Sequence, residues 1–370
     1  MTKSGSTALQ FTLSGLRPEL KKLGILYPTV KTHATGHHFL ASLIRPKELP
    51  RSIAGAYAGN SELLKKDIEK SFVQLKHEIK SSNPHTVILS SEMLFKGMNS
   101  EHAYHLKRHL LELTNDITVV VCIRQPSQWY LSSQQQKIKA SGKFLHPQAV
   151  LIKEDLQACT TMFDGKVEVI KFERESLKEN DISCEFFHRY IPDAYSLLSS
   201  QTAQVKNESS SAESMQILQT YRQIIHPDLN EFHMSDSTLL QHILRTIEEK
   251  EDLYHRPSLV PEVAKYIDSC STDFLWLKEK YGVEFDGMDY TAIQENKNNP
   301  YSEFHQVSDI CNLDENIMHK LTMHVLAQLL LRQKIPIPNK IKLLMIRNSG
   351  NRWVQWLRPL IDKIRQNYVT

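Results

Sequence analysis

Apolar residues along this chain fall into two recurring patterns. Short continuous runs rich in β-branched residues read as buried strands: Thr86 to Glu92 (Thr-Val-Ile-Leu-Ser-Ser-Glu), Ile117 to Ile123 (Ile-Thr-Val-Val-Val-Cys-Ile) and, with partial alternation, Lys166 to Phe172. Leu23 to Pro28 reads as a further short strand or extended turn. Between these runs the spacing turns helical. Thr7 to Lys22 predicts a helix broken or kinked at Pro18. Glu62 to Lys80 predicts an amphipathic helix with a solvated Lys/Glu face, and Ser100 to Leu113 another helix. Strands and helices alternating in this way predict an α/β fold, a parallel sheet covered by helices on both faces. Ligands in such sheets bind beyond the carboxyl ends of the strands.

From Ser199 to Ser214 the composition shifts to Ser, Gln, Asn and Glu, a polar loop leading into a helix. The rest is mainly helical, with a break from Lys250 to Pro257 and a last predicted helix from Leu313 to Gln333. The chain closes on a basic stretch from Lys340 to Arg365, read first as a solvated packing helix and second as a surface for an anionic glycan or membrane.

Composition narrows the picture. The chain has 370 residues, enough for one large α/β domain with an appendage, and a net charge of +3, too small to suggest nucleic acid. Its five cysteines are widely separated with no Cys-x-x-Cys pair, as expected of reduced thiols in a cytoplasmic protein. No apolar run reaches the length of a membrane span, and no signal-peptide core is present. His33, His37 and His38 lack a companion carboxylate at ligand spacing, so they read as a polar helix face and not as a metal site.

Two segments carry chemistry. Lys3-Ser4-Gly5-Ser6-Thr7-Ala8 opens the chain. Gly5 permits a tight turn, Ser6 and Thr7 offer hydroxyls at a helix start, and Lys3 adds a fixed charge, together a loop suited to a phosphate. Taken alone the run reads as a plain helix cap. Further on, Arg124 ends a predicted strand, Pro126 suits a first helical turn, and Ser132 stands eight positions after Arg124. Arginine offers a planar, permanently charged fork for two phosphate oxygens, and a serine hydroxyl suits a third.

Together these segments resemble the sulfotransferases that use 3′-phosphoadenylyl sulfate (PAPS), in particular bacterial members. In that family Lys/Thr-Gly-Ser/Thr leads into a helix, and a strand-end arginine is followed eight positions later by a serine. Gln134-Gln135-Gln136-Lys137, the Gly24-to-Pro28 segment, the serine-rich stretch from Asn207 and the close Lys280 to Phe285 are similar to the family as well. The resemblance implies a P-loop three-layer sheet over 1–285, with 286–370 as a helical, basic extension. It implies that Lys3, Ser4, Gly5, Ser6, Thr7 and Ala8 hold the 5′-phosphate end of PAPS and that Arg124 and Ser132 hold the 3′-phosphate. Lys3 would be catalytic, stabilising charge on the leaving oxygen. Glu92 is the expected general base, with His33 or His37 as substitutes; the plainer reading of Glu92 is a carboxylate capping the next helix. The expected acceptor is a hydroxyl or amine, first of all on a carbohydrate such as a surface polysaccharide. No metal and no nucleic acid is called for.

Two other readings stand beside this one. A P-loop kinase would show Gly-Lys-Ser/Thr and a Mg²⁺-binding aspartate, neither present in the expected form. A non-catalytic relative would keep the fold as a binding module. Only Met1 and Thr2 precede Lys3, whereas a phosphate loop needs a strand before it. Its loss would leave ladder groups unpaired at about 1–3 kcal/mol each. The expectation is therefore that the natural protein starts further upstream.

Overall fold

The computed structural model describes residues 3–30, 35–45, 60–95, 97–200, 209–230, 233–294 and 299–332. In chain order the helices and strands are α1 (Ser6–Gly15), α2 (Arg17–Lys22), β1 (Ile25–Leu26), α3 (Phe39–Ile44), α4 (Ser61–Ser82), β2 (Thr86–Val87), α5 (Ser100–Leu110), β3 (Val119–Ile123), α6 (Pro126–Ala140), α7 (Lys153–Met162), β4 (Val167–Lys171), α8 (Ile182–Tyr190), α9 (Ala212–Ile225), α10 (Ser235–Lys250), α11 (Pro261–Cys270), α12 (Asp273–Tyr281) and α13 (Glu315–Arg332). The described chain is mostly helical.

Local sequence explains several boundaries. The predicted helix from Thr7 to Lys22 is two helices: Leu16 leaves helical geometry between them, and Pro18 sits in the first turn of α2, where its missing N–H costs nothing. Asn60, Asn99 and Asp181 cap α4, α5 and α8 by accepting backbone N–H bonds with their side chains. Asn83 closes α4 in the left-handed conformation. The basic tail after residue 332 lies outside the described residues.

The strands pair in parallel as predicted, but in two separate pairs. Ile25 and Leu26 of β1 face Thr86 and Val87 of β2. Val119 through Ile123 of β3 face Val167 through Lys171 of β4. The expected run from Thr86 to Glu92 is thus much shorter as a strand. Ile88 N–H still reaches the Leu26 carbonyl at 2.9 Å, but at Ser90 the partners change. Ser90 O accepts the His37 N–H (2.7 Å), and Ser90 N–H donates to His37 Nδ1 (3.1 Å). With both backbone groups of residue 90 satisfied by residue 37, the ladder stops. Glu92 therefore begins a 3-10 turn, Glu92–Leu94, and does not close a strand.

The chain divides into two compact units, one of Met1–Ser133, His146–Glu208 and Leu259–Glu303, the other of Gln134–Leu145, Ser209–Ser258 and Phe304–Thr370. In the first, one apolar cluster draws on α1 (Leu9, Leu13), on β1 and the residue after β2 (Ile25, Ile88), on β4 (Ile170) and on α8 (Phe187). Val120 and Cys122 of β3 pack against it. In the second, Ser211 caps α9 and, with Ser214, donates to the buried Glu248 of α10. Gln219 of α9 holds the segment before α13 through His305 O and Val307 N–H. The serine stretch from Asn207 includes 207 and 208, outside the described residues; its described end serves as this cap.

Candidate functional site

All of the site residues expected from the sequence belong to the first unit. The loop before α1 has Lys3 at φ 60° and Gly5 at φ 82°, with Ser4 between them buried. Gly5 is the N-cap of α1 and supplies no side-chain cap. Helix geometry gives the N–H groups of Ser6, Thr7 and Ala8 no acceptor within α1. A glycine is required here twice over. The backbone is left-handed, and a Cβ would lie 2.5 Å from Phe172 Cε2 and 3.1 Å from Ile182 Cγ2.

Arg124 follows β3 directly and reaches this loop. Its Nη1–H donates to the Lys3 carbonyl at 3.1 Å, across 121 positions of sequence. Its guanidinium carbon lies 5.7 Å from the centre of the Phe172 ring. Phe172 itself is fixed by its N–H bond to Ile123 O at 2.7 Å, at the carboxyl ends of β3 and β4. Loop, arginine and phenylalanine thus form one wall. Ser132 is half-buried on the second turn of α6, and no described hydrogen bond joins it to Arg124 or to the loop.

The two helix starts near this wall are equipped differently. The α6 start carries a carboxylate: Asp268 accepts from Ser127 N–H (2.8 Å), Ser127 Oγ–H (2.9 Å) and Gln125 Nε2–H (2.7 Å). That acid already fills the anion role at α6. The α1 start carries a glycine and a neighbouring lysine instead. The first turn of α1 holds no acidic residue and receives no side-chain cap.

Glu92 belongs to a second polar group, reached along α1. Gln10 Nε2–H donates to Glu92 Oε2 (3.0 Å) and to Ser90 Oγ (3.2 Å). His38 places Nδ1 2.9 Å from Ser91 Oγ and Nε2 3.9 Å from Glu92 Oε1. Behind the carboxylate, Arg45 donates to the Met93 carbonyl, and Asp155 accepts the N–H groups of Gly97 and Met98. Gln10 lies five residues beyond Gly5, a helical rise of about 7.5 Å. The carboxylate is therefore tied to the same helix that carries the loop.

The histidines differ from the polar face read in the sequence. His37 and His38 are buried just before α3. His37 accepts from Ser90 N–H at Nδ1, so its proton is on Nε2, which donates to Pro28 O at 3.1 Å. Burial pushes its pKa down to about 4. With both nitrogens engaged in holding backbone, His37 is a structural pin and not a substitute base. His33 lies outside the described residues. Gln10 is the member that sequence reasoning passed over, and His38 was read only as part of a polar helix face. Gln10 had one signal: it is the polar residue between Leu9 and Leu13 on a helix face that is otherwise apolar.

Among the described residues no group of three His, Cys, Asp or Glu is arranged to hold a metal ion, and no helix is long and apolar enough to cross a membrane. The chain matches no protein-family model, no curated protein and no solved structure.

Proposed function

We propose that this chain is a sulfotransferase that moves a sulfuryl group from PAPS to a hydroxyl or amine of an acceptor, with a carbohydrate as first candidate. One observation carries the reading: Arg124 Nη1 bonds the Lys3 carbonyl at 3.1 Å, so the strand-end fork and the phosphate loop share one wall. Two anion grips of different chemistry side by side suit a doubly phosphorylated adenosine better than a nucleotide with one phosphate chain. In this reading the two parallel strand pairs belong to one three-layer sheet of P-loop type. The apolar cluster they share with α1 and α8 supports that. The five thiols, none in a disulfide, suit a place in the cytoplasm.

PAPS would supply the activated sulfuryl group, with adenosine 3′,5′-bisphosphate as the product that leaves. The residues fit such a donor by their chemistry: backbone N–H groups and Lys3 for the 5′-phosphate, Arg124 with Ser132 for the 3′-phosphate. Lys3 and the first-turn N–H groups of α1 stabilise the negative charge that grows on the departing oxygen. Glu92 takes the proton of the attacking hydroxyl. His38 Nε2, 3.9 Å from Glu92 Oε1, is the neighbouring site for that proton.

Thermal shift with adenosine 3′,5′-bisphosphate against ATP and Mg²⁺ tests the proposal. Stabilisation by the bisphosphate alone, lost in Arg124→Ala, is the expected result. Stabilisation only by ATP with Mg²⁺ would make the chain a kinase. Stabilisation by neither would make it a binding module on the same fold.

A further inference from the structure

We infer that Gln10 is a positioning residue, which holds the Glu92 carboxylate in register with the phosphate loop from its place on α1. The inference rests on Glu92 being the base of the proposed reaction. Gln10 is buried, 3 % exposed, on the helix whose first residue is Ser6. Its amide donates from Nε2 to both Glu92 Oε2 and Ser90 Oγ. On the carboxylate, Oε2 is thereby engaged, and Oε1 is the oxygen that faces His38. The amide is itself confined: a Cβ at Gly36 would stand 2.9 Å from Gln10 Oε1 and 2.8 Å from His38 Cε1. Residue 36 must be glycine for the two side chains to sit as they do.

The consequence is geometric. The loop fixes the donor at the start of α1, and Gln10 fixes the base a turn and a half later on the same rigid element. Distance and orientation between leaving oxygen and base are then set by one helix and one hydrogen bond. Loss of that bond leaves the loop intact while the carboxylate turns away. Misplacement on this scale lowers turnover by about 10–100-fold. A merely structural glutamine would affect stability or donor binding as much as turnover.

Slow transfer of the sulfuryl group from PAPS to water provides a readout that needs no identified acceptor. Gln10→Met keeps length and removes the donor; Gln10→Leu serves if that variant does not fold. The expected result is a fall of about 10–100-fold in the turnover number, with calorimetric affinity for the bisphosphate unchanged. Added to Glu92→Gln, Gln10→Met should bring no further loss, since both act through one carboxylate. Wild-type turnover in Gln10→Met, equal losses in turnover and bisphosphate affinity, or additive losses in the double variant would each overturn the inference. If wild type binds the bisphosphate but leaves PAPS intact in water, the Glu92 carboxyl ¹³C chemical shift is compared instead between wild type and Gln10→Met, and identical shifts would overturn the inference. A wild type that does not bind the bisphosphate refutes the proposed function itself.

Discussion

Replacing Gly5 by alanine should destabilise the first unit by about 2–5 kcal/mol, from two costs that add. The first is conformational. At φ 82° a Cβ meets the following carbonyl, at about 1–2 kcal/mol for an L-residue held left-handed. The second is steric. The new methyl would stand 2.5 Å from Phe172 Cε2, well inside contact distance, and 3.1 Å from Ile182 Cγ2. Phe172 has little room to yield, because its N–H is bonded to Ile123 O and Arg124 covers its ring. Overpacking of this kind costs about 1–3 kcal/mol. Urea unfolding followed by circular dichroism reads the sum. Repeating the substitution in a Phe172→Leu background separates the parts, since leucine lacks the two ring atoms in closest approach. The cost of Gly5→Ala should then fall toward the conformational part, about 1–2 kcal/mol, with the Ile182 contact still present. A loss below about 1 kcal/mol in the wild-type background, or an equal loss in both, would refute the packing of this loop against the end of β4.

Further outcomes follow from the same geometry. Arg124→Lys keeps the charge but loses the planar fork; bisphosphate affinity by calorimetry should fall about tenfold or more, and wild-type affinity would remove Arg124 from the site. Asp268→Ala takes the cap from α6 and leaves Ser127 and Gln125 without their acceptor; urea unfolding should show a loss of about 2–4 kcal/mol. His37 is neutral in the folded chain, with its pKa pushed down to about 4 by burial, and protonates in the unfolded chain at about 6.5. The unfolded state therefore binds the extra proton between these values. His37's contribution is complete above pH 6.5 and is lost as pH falls toward 4. Between pH 7 and 4.5 wild type should lose about 2 kcal/mol more than His37→Gln in urea unfolding; equal losses would mean that His37 is charged in the fold.

What the sequence made legible, and what it did not, follows from the range of the interactions. The helices α4 and α5, strands β3 and β4 and the start of α6 at Pro126 lie within a few residues of their predicted places, because periodicity and capping are local. Thr86 to Glu92 misled for a specific reason. Its apolar, β-branched opening is strand-like, but the strand ends where His37, 53 positions away, takes both backbone groups of Ser90. No local pattern encodes that partner. The loop and Arg124 were each legible from residue type; the bond that joins them across 121 positions was not. That bond also acts on the loop itself. The carbonyl it holds belongs to Lys3, whose φ of 60° is strained for a residue with a side chain. Arg124 therefore shapes the loop itself. Removing it should change the loop's conformation even with no anion present, and backbone amide chemical shifts of residues 3–8 measure this. Shifts identical in wild type and Arg124→Lys would leave the loop's shape to Gly5 and Phe172 alone.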